Sequence, residues 1–179
     1  MSRLYTQAVS EATGQAAQLF TAIKSAVGMV PNAYATVGSN SPVALEAALT
    51  LDGALRKSSL SAKDIEVIKL AVSQSVECDY CLAAHSMIAK KSGLSADAIH
   101  GARHGSSTGD ARYDALSTFA HALVGSKGTV PQAAVDAVKA AGVTDAQIVD
   151  TLLAIASITF TNLVNRVNDT TLDFPPAAA

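Results

Sequence analysis

The chain has 179 residues, a length typical of one domain, and we therefore predict a single domain over residues 1–179. Hydrophobic residues make up 49% of the chain and charged residues 16%, and the mean hydropathy is +0.28. This composition excludes an intrinsically disordered protein, which would carry more charge and fewer apolar residues. Thirteen basic and fifteen acidic side chains give a formal charge of −2, so we expect no basic face for binding nucleic acid or a membrane surface.

Alanine accounts for about a fifth of the chain, aromatic residues for 4%, and tryptophan is absent. Alanine is the best helix former, whereas a β-sheet protein of this size would need more β-branched and aromatic residues, so we predict an all-α fold. Residues 1–14 contain neither the basic nor the apolar segment of a secretory signal, which predicts a cytoplasmic protein. The most apolar stretch, residues 148–160, is interrupted by polar residues and is predicted to be a buried helix rather than a membrane span.

The first predicted helix covers about residues 12–26, where apolar residues recur at helical spacing, and it ends before Gly28. A short helical turn is predicted after Pro31. The next helix is predicted to start at Ser41 and Pro42, an N-cap residue followed by a proline at the first helical position.

Ser61 and Asp64 predict a capping box at the start of a further helix, because each side chain can bond the backbone N–H of the other residue. The helical pattern then breaks at residues 77–80, and a new helix is predicted to continue to about residue 92. The remaining helices are predicted at about residues 95–104, 113–125, 131–141 and 144–167.

The two cysteines of the chain form the motif Cys78-Asp79-Tyr80-Cys81, and His85 follows one helical turn after Cys81. On a helix, both cysteines and the histidine lie on one stripe. The free N–H groups at a helix start and an adjacent imidazole both favour a thiolate, so the motif predicts a reactive dithiol that can cycle to a disulfide. A structural interpretation, with two buried small hydrophobic residues and a capping histidine, stays open.

Zinc binding is the main competing interpretation, because Cys78, Cys81, His85, His100 and His104 together could supply enough ligands. However, the spacing matches no common closed zinc site. The two later histidines lie near a predicted helix end, where a cationic ring is favourable without any metal. We therefore expect neither a metal nor a cofactor.

A longer pattern around the motif resembles a known family. Glu66, eleven further residues, Cys78-x-x-Cys81, three residues and His85 resemble the signature of AhpD-like alkylhydroperoxidases in the carboxymuconolactone decarboxylase superfamily. The resemblance covers most of the chain and is to the peroxidase-related branch. Its further elements are Val30-Pro31-Asn32, Ser41-Pro42, Leu60-Ser61, Asn162-x-x-Asn165 and Thr170-x-x-Asp173-Phe174-Pro175.

The resemblance implies an all-helical fold that assembles into trimers or hexamers. It implies an oxidoreductase, either a thiol-dependent peroxidase for alkyl hydroperoxides or a disulfide reductase. In the peroxidase Cys81 is oxidised to a sulfenic acid and Cys78 is the resolving thiol. Glu66 and His85 would relay the proton. An external reductant, such as a lipoyl domain, a thioredoxin-like protein or a small thiol, would restore the dithiol, and no cofactor is implied.

This proton relay requires a particular chain path. On one continuous helix Glu66 and Cys78 would be about 18 Å apart at 1.5 Å per residue, so the chain has to turn near Glu77 and return antiparallel. From helical spacing alone, Glu66 is more simply explained as a surface carboxylate paired with Lys63 or Lys69.

Tyr80 departs from the best-known AhpD pattern, which has a second histidine inside the Cys-x-x-Cys motif. A tyrosine can donate a hydrogen bond to a peroxide or a water, but it is a poor base at neutral pH, so Tyr80 is an auxiliary candidate or packs at a subunit contact. Two further functions stay open. One is a carboxymuconolactone-decarboxylase-like enzyme, and the other is a non-catalytic helical module that senses redox state or binds zinc.

Overall fold

The computed structural model describes residues 2–178, and it contains helices but no β-strand within that range. The α-helices are α1 (Gly14–Val27), α2 (Asn32–Asn40), α3 (Pro42–Leu55), α4 (Ala62–Ser75), α5 (Asp79–Lys91), α6 (Ala96–His104), α7 (Ala111–Gly125), α8 (Gln132–Ala140) and α9 (Asp145–Asn168). A short 3-10 turn at Val9–Glu11 precedes α1, and the sequence pattern did not predict it. The all-α prediction is confirmed.

Several predicted helix starts are formed by the expected caps. The Ser41 hydroxyl accepts a hydrogen bond from the backbone N–H of Ala44 at 3.2 Å, and Pro42 occupies the first turn of α3. Ser61 and Asp64 form the reciprocal capping box that opens α4. These caps satisfy backbone N–H groups that a helix start otherwise leaves without partners, and they fix where each helix begins.

Helix α4 is the central element of the fold, because α5, α6, α7 and α9 all pack against it. A continuous run of its residues, 64–73, is buried, and most of this run is aliphatic. Three charged side chains, Asp64, Glu66 and Lys69, are buried within the same run. A buried charge is costly unless it is paired, so the neighbours of α4 have to supply partners.

The chain reverses direction between α4 and α5, as the relay requires. Glu77 has a φ of +52°, a left-handed conformation that non-glycine residues seldom adopt. The Arg166 guanidinium donates hydrogen bonds to the backbone carbonyls of Val76 and Glu77, the latter at 2.7 Å. These bonds hold the corner and place the start of α5 beside α4 and α9.

Helix α9 differs from the prediction of a buried helix over residues 148–160. Its most apolar 18-residue window has a mean hydropathy of 1.5, yet only 28% of that window is buried. By length and composition alone α9 could cross a membrane, a criterion that core helices of soluble proteins also meet.

Helix α9 buries a face rich in polar residues and exposes a stripe of aliphatic residues, the opposite of an ordinary amphipathic helix. The buried face carries Thr151, Ala154, Ser157, Ile158, Asn162, Asn165 and Asn168. The large exposed apolar residues are Val149, Leu152, Leu163 and Val167, which lie on one stripe. The prediction failed because total hydropathy does not tell which face of a helix points inward.

Two glycines inside helices give opposite predictions for stability. A Cβ atom added at Gly101 in α6 would lie 2.5 Å from the carbonyl oxygen of Ser107, whereas one added at Gly53 in α3 would meet nothing closer than 3.9 Å. We expect Gly101→Ala to lower the free energy of unfolding by about 1–3 kcal/mol through overpacking. We expect Gly53→Ala to raise it by about 0.5–1 kcal/mol. Chemical denaturation measures both, and a shift of both variants in the same direction would contradict this packing.

Candidate functional site

The dithiol motif lies at the start of α5, as predicted. Cys78 is the N-cap residue of α5, and Cys81 lies in its first turn. Both are free thiols and both are enclosed, with exposed fractions of 1% for Cys78 and 3% for Cys81. Both sulfurs are therefore shielded from solvent in this chain.

The surroundings of the dithiol separate the pKa values of its two sulfurs. The pKa of Cys78 is lowered from 9.0 to about 7, chiefly because the Cys81 thiol donates a hydrogen bond to its sulfur. Burial opposes this shift, while the backbone N–H of Cys81, the Asn162 amide and the charge of Arg166 add to it. The pKa of Cys81 is raised, because its proton is held by Cys78 and because it is buried. Above about pH 7 the pair therefore carries one proton and one negative charge, and the charge lies on Cys78.

Glu66 and His85 form a second pair in the interior. The Nδ1 atom of His85 lies 2.8 Å from the Oε2 atom of Glu66, and the two side chains are 14% and 9% exposed. The interpretation of Glu66 as a surface carboxylate bound to Lys63 or Lys69 is therefore wrong, because Lys69 bonds a different residue. The turn at Glu77 makes the Glu66–His85 contact possible, and the contact fixes which ring nitrogen of His85 is engaged.

A third group of polar side chains adjoins the relay, and sequence reasoning missed it. The Oδ1 atom of Asp52 accepts hydrogen bonds from the Lys69 ammonium at 2.9 Å and from the Ser157 hydroxyl at 2.7 Å. Its Oδ2 atom accepts one from the Tyr34 hydroxyl at 3.3 Å. Burial raises the pKa of Asp52, but the charge of Lys69 and the hydrogen bonds from Lys69 and Ser157 outweigh burial, so the net pKa is lowered. Asp52 and Tyr34 follow no recognisable spacing in the sequence, so only the fold brings them together.

Tyr80 contacts the C-terminal tail. Its hydroxyl accepts a hydrogen bond from the backbone N–H of Ala33 at 3.2 Å, and its ring packs edge-on against Phe174 at 5.5 Å. Asp173 in the same tail accepts a bond from the backbone N–H of Asn32 at 2.6 Å. Burial raises the pKa of Tyr80, so it stays a neutral phenol. Tyr80 thus joins three of the segments that carried the sequence resemblance.

The five candidate zinc ligands do not assemble into one site. His100 and His104 stack with their ring centroids 4.4 Å apart on α6. Within residues 2–178, no three side chains of His, Cys, Asp or Glu are grouped so that they could hold a metal ion. The zinc interpretation would need the histidines of α6 to join the cysteines of α5, and the fold keeps them apart.

A cleft of about 730 Å³ lies between α5, α6 and the tail residues 175–178. It is lined on α5 by Ala83, Ser86, Met87 and Lys90, and neither cysteine lines it. A smaller cleft of about 240 Å³ between α7 and α8 also lacks the cysteines. The dithiol is therefore a separate enclosed site.

Comparisons with known proteins support the resemblance. Residues 42–111 match the carboxymuconolactone decarboxylase family. An alkylhydroperoxidase AhpD core protein from Ralstonia eutropha JMP134, described as peroxidase-related, superposes with a TM-score of 0.85 at 20% identity, over 96% of this chain and 92% of that chain. No curated protein matches the sequence.

Two further solved structures have the same fold. The debrominase Bmp8, solved in complex with 2,3,4-tribromopyrrole, superposes with a TM-score of 0.80 at 19% identity, over 97% of this chain and 92% of that one. A peroxidase-related protein from Silicibacter sp. TM1040 superposes with a TM-score of 0.77 at 20% identity, over 99% and 96%. At these identities the likeness establishes a shared AhpD-like fold.

The lowered pKa of Cys78 predicts a specific pH dependence. Because a thiolate is the reactive form, alkylation of the native protein should rise with pH and reach half of its maximal rate near pH 7. The urea-unfolded chain should instead show a midpoint near the ordinary thiol value of about 8.5. The rate of modification by a small alkylating reagent, followed by mass spectrometry at each pH, measures this. A native midpoint at or above that of the unfolded chain would contradict the arrangement.

Proposed function

We propose that this chain, which has the AhpD-like fold and matches the carboxymuconolactone decarboxylase family over residues 42–111, is a thiol-dependent reductase of alkyl hydroperoxides. The observation that carries the proposal is the buried pair of free thiols at the start of α5, where the surroundings lower the pKa of Cys78 to about 7. The buried Glu66–His85 pair joins α4 to α5 and places a proton-exchanging group, His85, on the helix that carries Cys81. This combination suits a dithiol cycle.

In the proposed reaction a cysteine thiolate attacks the distal oxygen of the hydroperoxide. The sulfur–oxygen bond forms with the sulfur electron pair, the O–O bond breaks, and the alkoxide leaves with the O–O electron pair. The alkoxide takes up a proton and departs as the alcohol. The second thiol then displaces hydroxide from the sulfenic acid, which forms the disulfide and releases water once that hydroxide is protonated. An external dithiol reduces the disulfide again, so no cofactor is needed.

We assign the attack to Cys78 and the resolving role to Cys81, the reverse of the order that the sequence resemblance implies. The reason is that the resting charge lies on Cys78, which the helix start, Asn162 and Arg166 stabilise. The proton that Cys81 holds is then available to the leaving alkoxide or to the Glu66–His85 pair. Glu66 holds Nδ1 of His85, so the other ring nitrogen of His85 is the one that exchanges protons with the reacting groups.

Single-cysteine variants test the function and the order of the sulfurs together. With excess dithiol, we expect the metal-free wild type to consume cumene hydroperoxide continuously. Cys78→Ser should not react, whereas Cys81→Ser should react once and stop as a sulfenic acid on Cys78, detected as a dimedone adduct by mass spectrometry. Each variant is the matched control for the other.

Other outcomes would contradict this proposal in distinguishable ways. A dimedone adduct on Cys81 in Cys78→Ser, with an inert Cys81→Ser, would restore the order that the resemblance implies. Faster turnover of 2,3,4-tribromopyrrole than of hydroperoxide would favour reductive debromination, the chemistry named for the relative Bmp8. No turnover, together with stoichiometric zinc in the purified protein, would favour a binding module.

We also propose that the chain assembles into trimers or hexamers through the exposed stripe of α9. The stripe carries Val149, Leu152, Leu163 and Val167, and the last two are 60% and 58% exposed. A row of exposed aliphatic residues along a 24-residue helix is the kind of patch that marks a protein interface. Burying it against a copy of itself would complete the apolar packing that α9 lacks in one chain.

A charge placed on this stripe should break the assembly. We expect Leu152→Glu and Leu163→Glu to lower the mass in solution, because a carboxylate would be buried without a partner. Val27→Glu, at an exposed valine on α1, is the matched control and should leave the mass unchanged. Sedimentation equilibrium measures these masses. A monomeric wild type, or variants with the wild-type mass, would contradict this interface.

A further inference from the structure

Two asparagines on α9 lie near the dithiol, and in each the side-chain amide nitrogen makes a hydrogen bond while the side-chain oxygen makes none. Asn162 and Asn165 lie about one helical turn apart and are only 3% and 4% exposed. The Asn165 amide nitrogen donates a hydrogen bond to the Cys81 sulfur at 3.3 Å, and the Asn162 nitrogen donates one to the Ser73 hydroxyl at 3.2 Å. The Oδ1 atom of each is buried and has no hydrogen-bond partner.

Two neighbouring buried acceptors without partners are unusual in a folded protein. A buried carbonyl that has lost its hydrogen bonds to water without gaining one in the protein is destabilising. Such a group therefore points to a missing hydrogen-bond partner. The neighbouring Asn168 shows the contrast, since its Oδ1 accepts from the backbone N–H of Leu4 and its nitrogen donates to Thr36 and Thr170.

The missing partner has to bring a hydrogen-bond donor to these amide oxygens, whose residue Asn165 also bonds the Cys81 sulfur. In the proposed reaction the hydroperoxide does so, because its distal oxygen carries a hydrogen. That hydrogen stays on the oxygen when the oxygen moves to sulfur, so the same O–H group is present in the substrate and in the sulfenic acid. A carbonyl that accepts this O–H can therefore keep its hydrogen bond throughout the oxygen transfer.

We propose that Asn162 and Asn165 form a hydroxyl-accepting site, which binds the O–H group of the hydroperoxide and then of the sulfenic acid. The proposal rests on the proposed peroxidase function and adds two substrate-binding residues to it. The amide nitrogens face the sulfurs and the hydroxyl of Ser73, and the amide oxygens are left for the substrate. The site selects for oxidants of the type R–O–O–H over oxidants that carry no donor on the reacting atom.

The test compares two reagents on the reduced wild type and on Asn162→Leu and Asn165→Leu. Cumene hydroperoxide carries the O–H group, whereas methyl methanethiosulfonate reacts with the same thiolate and has no hydrogen-bond donor. We expect each variant to lower the second-order rate constant for the hydroperoxide about 10-fold more than that for the thiosulfonate, the effect of one lost hydrogen bond. Asn162→Ala and Asn165→Ala provide a second pair should leucine not be accommodated.

Thermal stability separates this role from a structural one. Leucine at position 162 or 165 removes one donated hydrogen bond together with an unsatisfied carbonyl, so the melting temperature of those variants should fall less than that of Asn168→Leu, which loses only satisfied bonds. Asn168→Leu, the matched control on the same face, should lower it, because it removes the partners of Leu4 and Thr36. Asn168→Leu should also leave the ratio of the two rate constants unchanged.

The outcomes are distinct. Equal losses for both reagents would overturn the hydroxyl-accepting site, since the asparagines would then act only on the thiolate. A wild type that reacts with the thiosulfonate but not with hydroperoxide would overturn the proposed function and this site with it. A normal wild type whose asparagine variants keep the wild-type rate ratio would overturn the site alone.

Discussion

The fold depends on satisfying three charges that lie inside it. Asp64, Glu66 and Lys69 are buried on the central helix, and a buried charge without a partner costs several kcal/mol. Their partners are Arg112 on α7, His85 on α5 and Asp52 on α3. Each pair ties α4 to a different helix, so the charges constrain helix positions that nonspecific aliphatic packing would leave free. One of these structural pairs, Glu66–His85, is also the candidate proton relay.

The same constraint explains why the dithiol lies where it does. Pairing Glu66 with His85 requires α5 to run back along α4, and the left-handed corner at Glu77 provides that reversal. Arg166 on α9 stabilises the corner through two backbone carbonyls, and its charge also lowers the pKa of Cys78. The residue that holds the turn thus acts on the thiol as well, which links the local backbone strain to the chemistry of the site.

Local sequence signals were sufficient for most helix boundaries and for the dithiol. Capping boxes act over three residues, so Ser61 and Asp64 could be recognised without any tertiary information. The pairing of Glu66 with His85 could be predicted only through the family pattern, because helical spacing favoured Lys63 or Lys69. Hydrogen-bond partners that are distant in the chain could not be predicted from local sequence. Asp52, for example, lies 17 residues before Lys69 and 105 before Ser157. The inward face of α9 was also unpredictable, since hydropathy measures how apolar a helix is and not which side is buried.

Packing alone does not explain why α9 buries its polar residues and exposes its aliphatic ones. A helix with valine and leucine available for the core instead turns asparagines inward and leaves its aliphatic stripe on the surface. Burying amides costs free energy unless they bond something, and leucine at those positions would avoid that cost. The arrangement becomes favourable if both faces have partners: other chains on the outer stripe, and the thiols with their substrate on the inner face. The surface that assembles the protein and the surface that binds the oxidant would then be opposite sides of one helix.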